Sequence, residues 1–78
     1  MPRYFFHIKS EDTFVEDLEG VELSGEKEAH AEAIDAAREI LSERVRNGEV
    51  IDGHEFDVQD EGGTKLFSLP FRDVLRLH

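Results

Sequence analysis

The sequence predicts an α+β fold: an antiparallel sheet of about four strands in ββαββ order, with one long helix packed on one face. Three observations carry this expectation. Apolar residues alternate with period two near both ends of the chain, the period changes to three and four in the middle, and turn-forming residues separate the alternating runs. All of this falls within 78 residues, too few for a second core, so residues 1–78 read as one small domain.

Tyr4, Phe6 and Ile8 alternate with Arg3, Phe5, His7 and Lys9, which predicts a strand over residues 3–9. Aromatic residues stand on both of its faces, so it is expected at the centre of the sheet, with Phe5 covered by something other than water. Ser10, Glu11 and Asp12 are turn formers, and Thr13, Phe14 and Val15 resume a β-type composition, giving a hairpin whose second strand ends near Asp17. In the stretch EDLEGVEL, Asp17 has the chemistry to accept hydrogen bonds from backbone N–H groups two or three residues on. Gly20 offers a left-handed position. The stretch therefore reads as a strand interrupted by a turn or bulge, with Val21 and Leu23 pointing inward.

The helical period predicts a helix over about residues 25–46. Ser24 is its expected N-cap, and Glu26 and Glu28 suit the positive end of the helix dipole. Its apolar face runs through Ala33, Ile34, Ala37, Ile40, Leu41 and Val45. Arg44 and Arg46 suit the negative end, and Asn47-Gly48 ends the helix. The Ala-rich composition lets it lie close to a sheet. Val50 and Ile51 are expected against the core in the connection that follows. Phe56 and Val58 then alternate with polar neighbours, Asp60-Glu61-Gly62-Gly63 marks a turn, and Lys65, Phe67 and Leu69 form the return strand. Pro70 ends the ladder, and Phe71, Val74 and Leu75 recur at helical spacing, as in a short helical turn or an irregular tail.

One helix leaves a sheet face uncovered. That face is expected to carry some of Phe5, Phe14, Phe56, Phe67 and Phe71, and to be a partner surface, most simply for a second copy of the chain.

Taken together, MPRYFFH at the start, DLEGVEL at 17–23, AEAIDAAREIL at 31–41, FDVQDEGG at 56–63 and LPFRDVL at 69–75 resemble a family of short alphaproteobacterial proteins known only as a domain of unknown function. Asp17, Gly20 and Glu22 match its D-x-x-G-x-E pattern, and Asp60 and Gly62 match its turn pattern. The resemblance implies no activity, cofactor or catalytic residue.

Charge is the strongest compositional signal. The chain has 19 acids and 9 bases, a formal net charge of −10. Residues 11–32 hold nine of the acids and one base, Lys27, a local balance of −8. Such a chain repels polyanions and has no Lys/Arg stripe to displace counterions from phosphates, so nucleic-acid binding is not expected. A basic protein partner fits the charge, and so does plain solubility. No run of residues approaches a membrane span, and the N-terminal stretch lacks the features of a signal peptide; with no cysteine, the expected location is cytoplasmic.

Catalytic and metal chemistry find little footing. The acids of EDLEG lack the spacing of a calcium loop, and His7, His30, His54 and His78 lack zinc-ligand spacing, with His30 reading as a boundary residue of the helix. There is no cysteine nucleophile, and no serine stands in a nucleophile elbow. No catalytic residue, metal ligand or cofactor is assigned. The expected function is a protein-interaction or regulatory module acting as a homodimer. Its candidate partner-binding residues are Glu16, Glu19, Glu22, Phe5 and His7. The alternative, a small enzyme or ligand-binding subunit with its site at a dimer interface, calls for His7 or His54 beside a buried carboxylate in a deep pocket.

Overall fold

Alternation at the N-terminus builds strand β1 (Arg3–Lys9), and its two-sided aromatic character places it inside the sheet. The computed structural model describes residues 1–49 and 53–74; the expectations for Val50, Ile51, Leu75 and His78 lie outside the described residues. Among them, β1 is followed by β2 (Phe14–Val15), β3 (Val21–Glu22), helix α1 (Glu26–Arg46), β4 (Glu55–Gln59), β5 (Lys65–Pro70) and the short helix α2 (Phe71–Val74). The fold is α+β, with a five-stranded antiparallel sheet and one long helix. The fifth strand arises because the edge beside β1 is broken in two. β2 pairs with the end of β1 (Ile8 with Val15), and β3 with its beginning (Tyr4 with Val21). On the other side β1 pairs with β4, and β4 with β5.

Register sorts the side chains by face, because alternate residues of a strand point to opposite sides. Tyr4, Phe6 and Ile8 share a side with their neighbours Val58 and Phe56, and these with Phe67 and Leu69. That side packs on α1 and α2 through a core of Tyr4, Ala29, Ala33, Ala37, Leu41, Phe56, Val58, Leu69, Phe71 and Val74. Fully burying a side chain as large as Phe71 or Val58 contributes about 1.5–3 kcal/mol. Phe71 also meets Phe56 edge to face, at 4.9 Å between ring centroids. The Phe71 N–H donates to the His54 carbonyl, tying α2 to the start of β4. Phe56, Phe67 and Phe71 thus belong to the helix side, which leaves Phe5 and Phe14 for the uncovered one.

Four expectations need correction. Gly25 is the N-cap of α1 and provides no side-chain cap, so Glu26 and Glu28 at the helix start are left to complement the dipole. The buried stripe of α1 is Ala29, Ala33, Ala37 and Leu41, at strict i, i+4 spacing, whereas Val45 is 63% exposed. At 100° per residue that row drifts round the helix, and Val45 passes off the sheet. Val21 lies at the sheet edge and is 38% exposed, although Leu23 does pack against the core. Strand pairing on the second strand stops at Val15, before Asp17, because Asp17 is needed for another purpose.

Candidate functional site

The Phe6 N–H points to the side of β1 where Tyr4 and Ile8 have their edge partners, but it falls in the gap between them. An unpaired backbone donor inside a sheet is costly. Asp17 fills the gap: its Oδ2 accepts the Phe6 N–H at 3.0 Å, in place of a strand carbonyl. Its Oδ1 accepts the N–H groups of Glu19 at 3.3 Å and Gly20 at 3.1 Å, which curls residues 17–20 into a turn. Burial pushes the Asp17 carboxyl upward, yet these three backbone bonds hold it below its ordinary value of 3.8. The Asp17 N–H in turn donates to Nδ1 of His7 at 3.0 Å. One residue is therefore fastened to β1 at both its backbone and its carboxylate.

Gly20 completes the plug. Its φ of +70° is left-handed, and a Cβ there would stand 2.9 Å from each of Arg3 Cγ, Phe5 Cε2 and the Tyr4 carbonyl oxygen. Arg3 closes the far end: its guanidinium donates to the Glu19 carbonyl and bridges to Glu22, each at 2.8 Å.

This bracing holds an unusual surface in place. Among the described residues the exposed large apolar side chains are Met1, Phe14, Val15, Leu18, Val21 and Val45, and four of these lie within residues 14–21. Register sets Val15 and Val21 on the helix side and Phe14 on the other, yet at the sheet edge all three stay exposed. Leu18, at the tip of the bulge, is 80% exposed. Glu16, Glu19 and Glu22 are interleaved with them and are also exposed, though Glu22 is engaged by Arg3. The two other candidates lie just behind, on the helix-free face: the ring of Phe5 stacks near His7, and the ring of Phe14 lies 5.3 Å from that of His7. The structure thus brings Glu16, Glu19 and Glu22 onto one edge, with Phe5 and His7 backing it.

Sequence reasoning passed over Leu18 and Asp57. Leu18 could have been found, because an apolar residue between acids and turn formers has no buried face to join. Asp57 could not. It is the cross-strand neighbour of His7 on the helix-free face, with Ser68 on its far side. It is only 8% exposed, and its Oδ1 has no hydrogen-bond partner among the described residues. Nothing local distinguishes it from the other acids.

The two other described histidines each pack on a phenylalanine ring. His30 stacks on Phe67 at 4.3 Å, the boundary role expected of it, and His54 stacks on Phe71 and meets Arg44 at 3.4 Å. His54 also lines two clefts, one of about 140 Å³ with Gly53, Glu55, Pro70 and Arg72, below the ~300 Å³ at which small-molecule pockets begin, and an open one of about 470 Å³ with Ser10, Glu11, Asp12, Thr13, Gly53 and Arg72. Among the described residues, no three or more of His, Cys, Asp and Glu gather as metal ligands, and no helix is long and apolar enough to cross a membrane.

A family model described as Domain of unknown function (DUF6894) matches residues 3–72. No curated protein and no solved structure matches the chain.

Proposed function

The chain belongs to this family of unknown function, and from its geometry we propose that it is a protein-interaction module whose docking surface is the acidic, apolar edge formed by residues 14–22. The single observation that carries the reading is the interleaving of Phe14, Val15, Leu18 and Val21, all exposed, with Glu16, Glu19 and Glu22 on a segment pinned to β1. Apolar area supplies binding energy, and the ring of acids selects for opposite charge and speeds encounter. The partner chemistry that fits is an amphipathic segment with a basic face. Bracing by Asp17, Gly20 and Arg3 lowers the ordering cost at the moment of binding.

The test uses a synthetic amphipathic peptide of alternating Leu and Lys turns as probe, with amide chemical shifts of the protein as readout. Shifts concentrated on residues 14–22, with binding weakened about tenfold or more by Leu18→Ser, support the reading. Shifts spread equally over the exposed acids of α1, Glu26, Glu28, Glu32, Asp35, Glu39 and Glu43, would mark mere charge attraction and refute it.

A specific observation favours a second reading, self-association through the helix-free face. Phe14 is 54% exposed there. Register places Arg3, Lys9 and Lys65 on that face with Glu22, Glu55 and Asp57, so its charges balance and a second copy is not repelled as it would be at the acidic edge. Any ligand site shared between copies would also lie here, since the face holds His7 beside Asp57. Sedimentation equilibrium decides it: a dimer at tens of micromolar that Phe14→Ser dissociates supports this reading, and a strict monomer removes it.

A further inference from the structure

We propose that His7 is a protonation switch, which holds the docking edge in its braced form only while the imidazole is neutral. The proposal rests on the edge being the docking surface, and it adds how that surface is regulated.

His7 is 6% exposed and its Nδ1 accepts the Asp17 N–H. An imidazole nitrogen that accepts a bond carries no proton, so the neutral ring bears its hydrogen on Nε2. Once protonated, both nitrogens are donors, and Nδ1–H would face the Asp17 N–H with no acceptor between them. The bond that fastens Asp17 by its backbone is then lost. Asp17 also carries the carboxylate that fills the gap at Phe6 and shapes the turn through Glu19 and Gly20, so the consequence spreads over residues 16–20.

A switch needs a second seat as well as a first, and one is present. Asp57 stands directly across from His7 on β4, and its buried Oδ1 has no hydrogen-bond partner among the described residues. A buried carboxylate oxygen left unpaired is the acceptor that a cationic ring requires. The ring thus has two discrete arrangements: neutral toward the Asp17 N–H, or charged toward Asp57.

The surroundings of His7 agree with this division. From the edge it faces Asp17 and the ring of Phe14; from its own strand, Phe5 and Lys9; from β4, Asp57 directly, with Glu55 and Gln59 diagonally. Lys9 and Glu55 are cross-strand neighbours of opposite sign and offset one another. Asp17 and Asp57 remain as the acids that a cationic ring would meet.

The experiment follows the protein alone, then with the Leu/Lys peptide, from about pH 7.5 to about pH 5.5, the range in which imidazole titrates. Ring nitrogen shifts report the tautomer and charge of His7. Hydrogen exchange of the Asp17 amide, corrected for its intrinsic pH dependence, reports the bond. The expected result is the Nε2–H tautomer at high pH and, with the same midpoint as ring protonation, a loss of Asp17 amide protection of about tenfold or more. His7→Gln, whose side-chain oxygen can accept the same N–H without titrating, should abolish that loss. Asp57→Asn, which keeps His7 and removes the charged acceptor, should move the transition to lower pH. Protection that persists while His7 titrates, an unchanged transition in His7→Gln, or one unmoved in Asp57→Asn would each overturn the switch. Peptide affinity separates the two proposals. Absence of binding at pH 7.5 refutes the docking reading while the exchange data still judge the switch; binding that is equal at both pH values refutes the regulatory link.

Discussion

Gly20 is the residue at which geometry leaves least freedom. Gly48 also has a left-handed φ, of +73°, but no atom of the described residues lies within 4 Å of where its Cβ would be. Comparing Gly20→Ala with Gly48→Ala therefore separates backbone strain from collision. Gly48→Ala is expected to cost about 1 kcal/mol, and Gly20→Ala roughly 2–3 kcal/mol or more, read from urea unfolding. Asp17 makes a prediction of its own. Its carboxyl lies below 3.8 in the folded protein, so its contribution is present above the unfolded value and is lost as pH falls through the folded one. Acid unfolding of the native chain should include this component below about pH 4, and Asp17→Asn should lack it. At neutral pH the substitution should cost about 1–2 kcal/mol, a figure resting on the hydrogen bonds, since solvent screens the charge. Half of the Asp17 role was legible: its short-range bonds to Glu19 and Gly20 follow from Asx-turn chemistry. Its bond to Phe6 and its tie to His7 were not, because each joins residues ten or more apart in the chain, and no local pattern encodes such pairs.

At the scale of elements, α1 and the edge strands behave oppositely. The helix was readable to within a residue at both ends, because a 21-residue amphipathic period with charges suited to the dipole is a strong and redundant signal. Its seam was less so: Ala29 was missed and Val45 overvalued, since pattern alone does not say where the sheet beneath begins and ends. The closeness of that seam is testable. Ala33 is fully buried against the sheet, whereas Ala31 on the same helix is exposed. Ala33→Leu should destabilise by about 1–3 kcal/mol or more through overpacking, and Ala31→Leu should stay within about 0.5 kcal/mol, both measured by thermal unfolding. The broken edge, by contrast, has strands of two residues, below the length at which alternation can be recognised. Its continuity comes from the Asp17 side chain, which substitutes for backbone.

For the molecule as a whole, one core must support the fold without disulfide or thiolate help. Among the described residues Phe71 is its largest fully buried side chain, and it joins α2 to the sheet. Phe71→Ala should cost about 3–5 kcal/mol, most of the stability of a domain this small, and circular dichroism at 37 °C should show a largely unfolded chain. Net charge acts in the same direction at longer range. With −10 on the chain, self-repulsion weakens the compact state, so raising sodium chloride from about 0.05 to about 0.5 M should raise the melting temperature. An unchanged or lowered value would mean that local ion pairs such as Arg3–Glu22, which salt weakens, outweigh the repulsion.

The amino-acid sequence by itself determined the α+β class, the central β1, the span of α1 and the two acidic turns, because hydrophobic period, dipole-matched charge and Asx chemistry all act within a few residues. Tertiary structure decided which phenylalanines enter the core, that the edge beside β1 is split around Asp17, and that His7 lies between an edge N–H and a buried, unpartnered Asp57 oxygen. The physical reason is strand register. Whether two polar groups distant in sequence meet, and whether one is left without a partner, depends on how strands align, and that alignment is settled by the packing of the whole sheet on its helices.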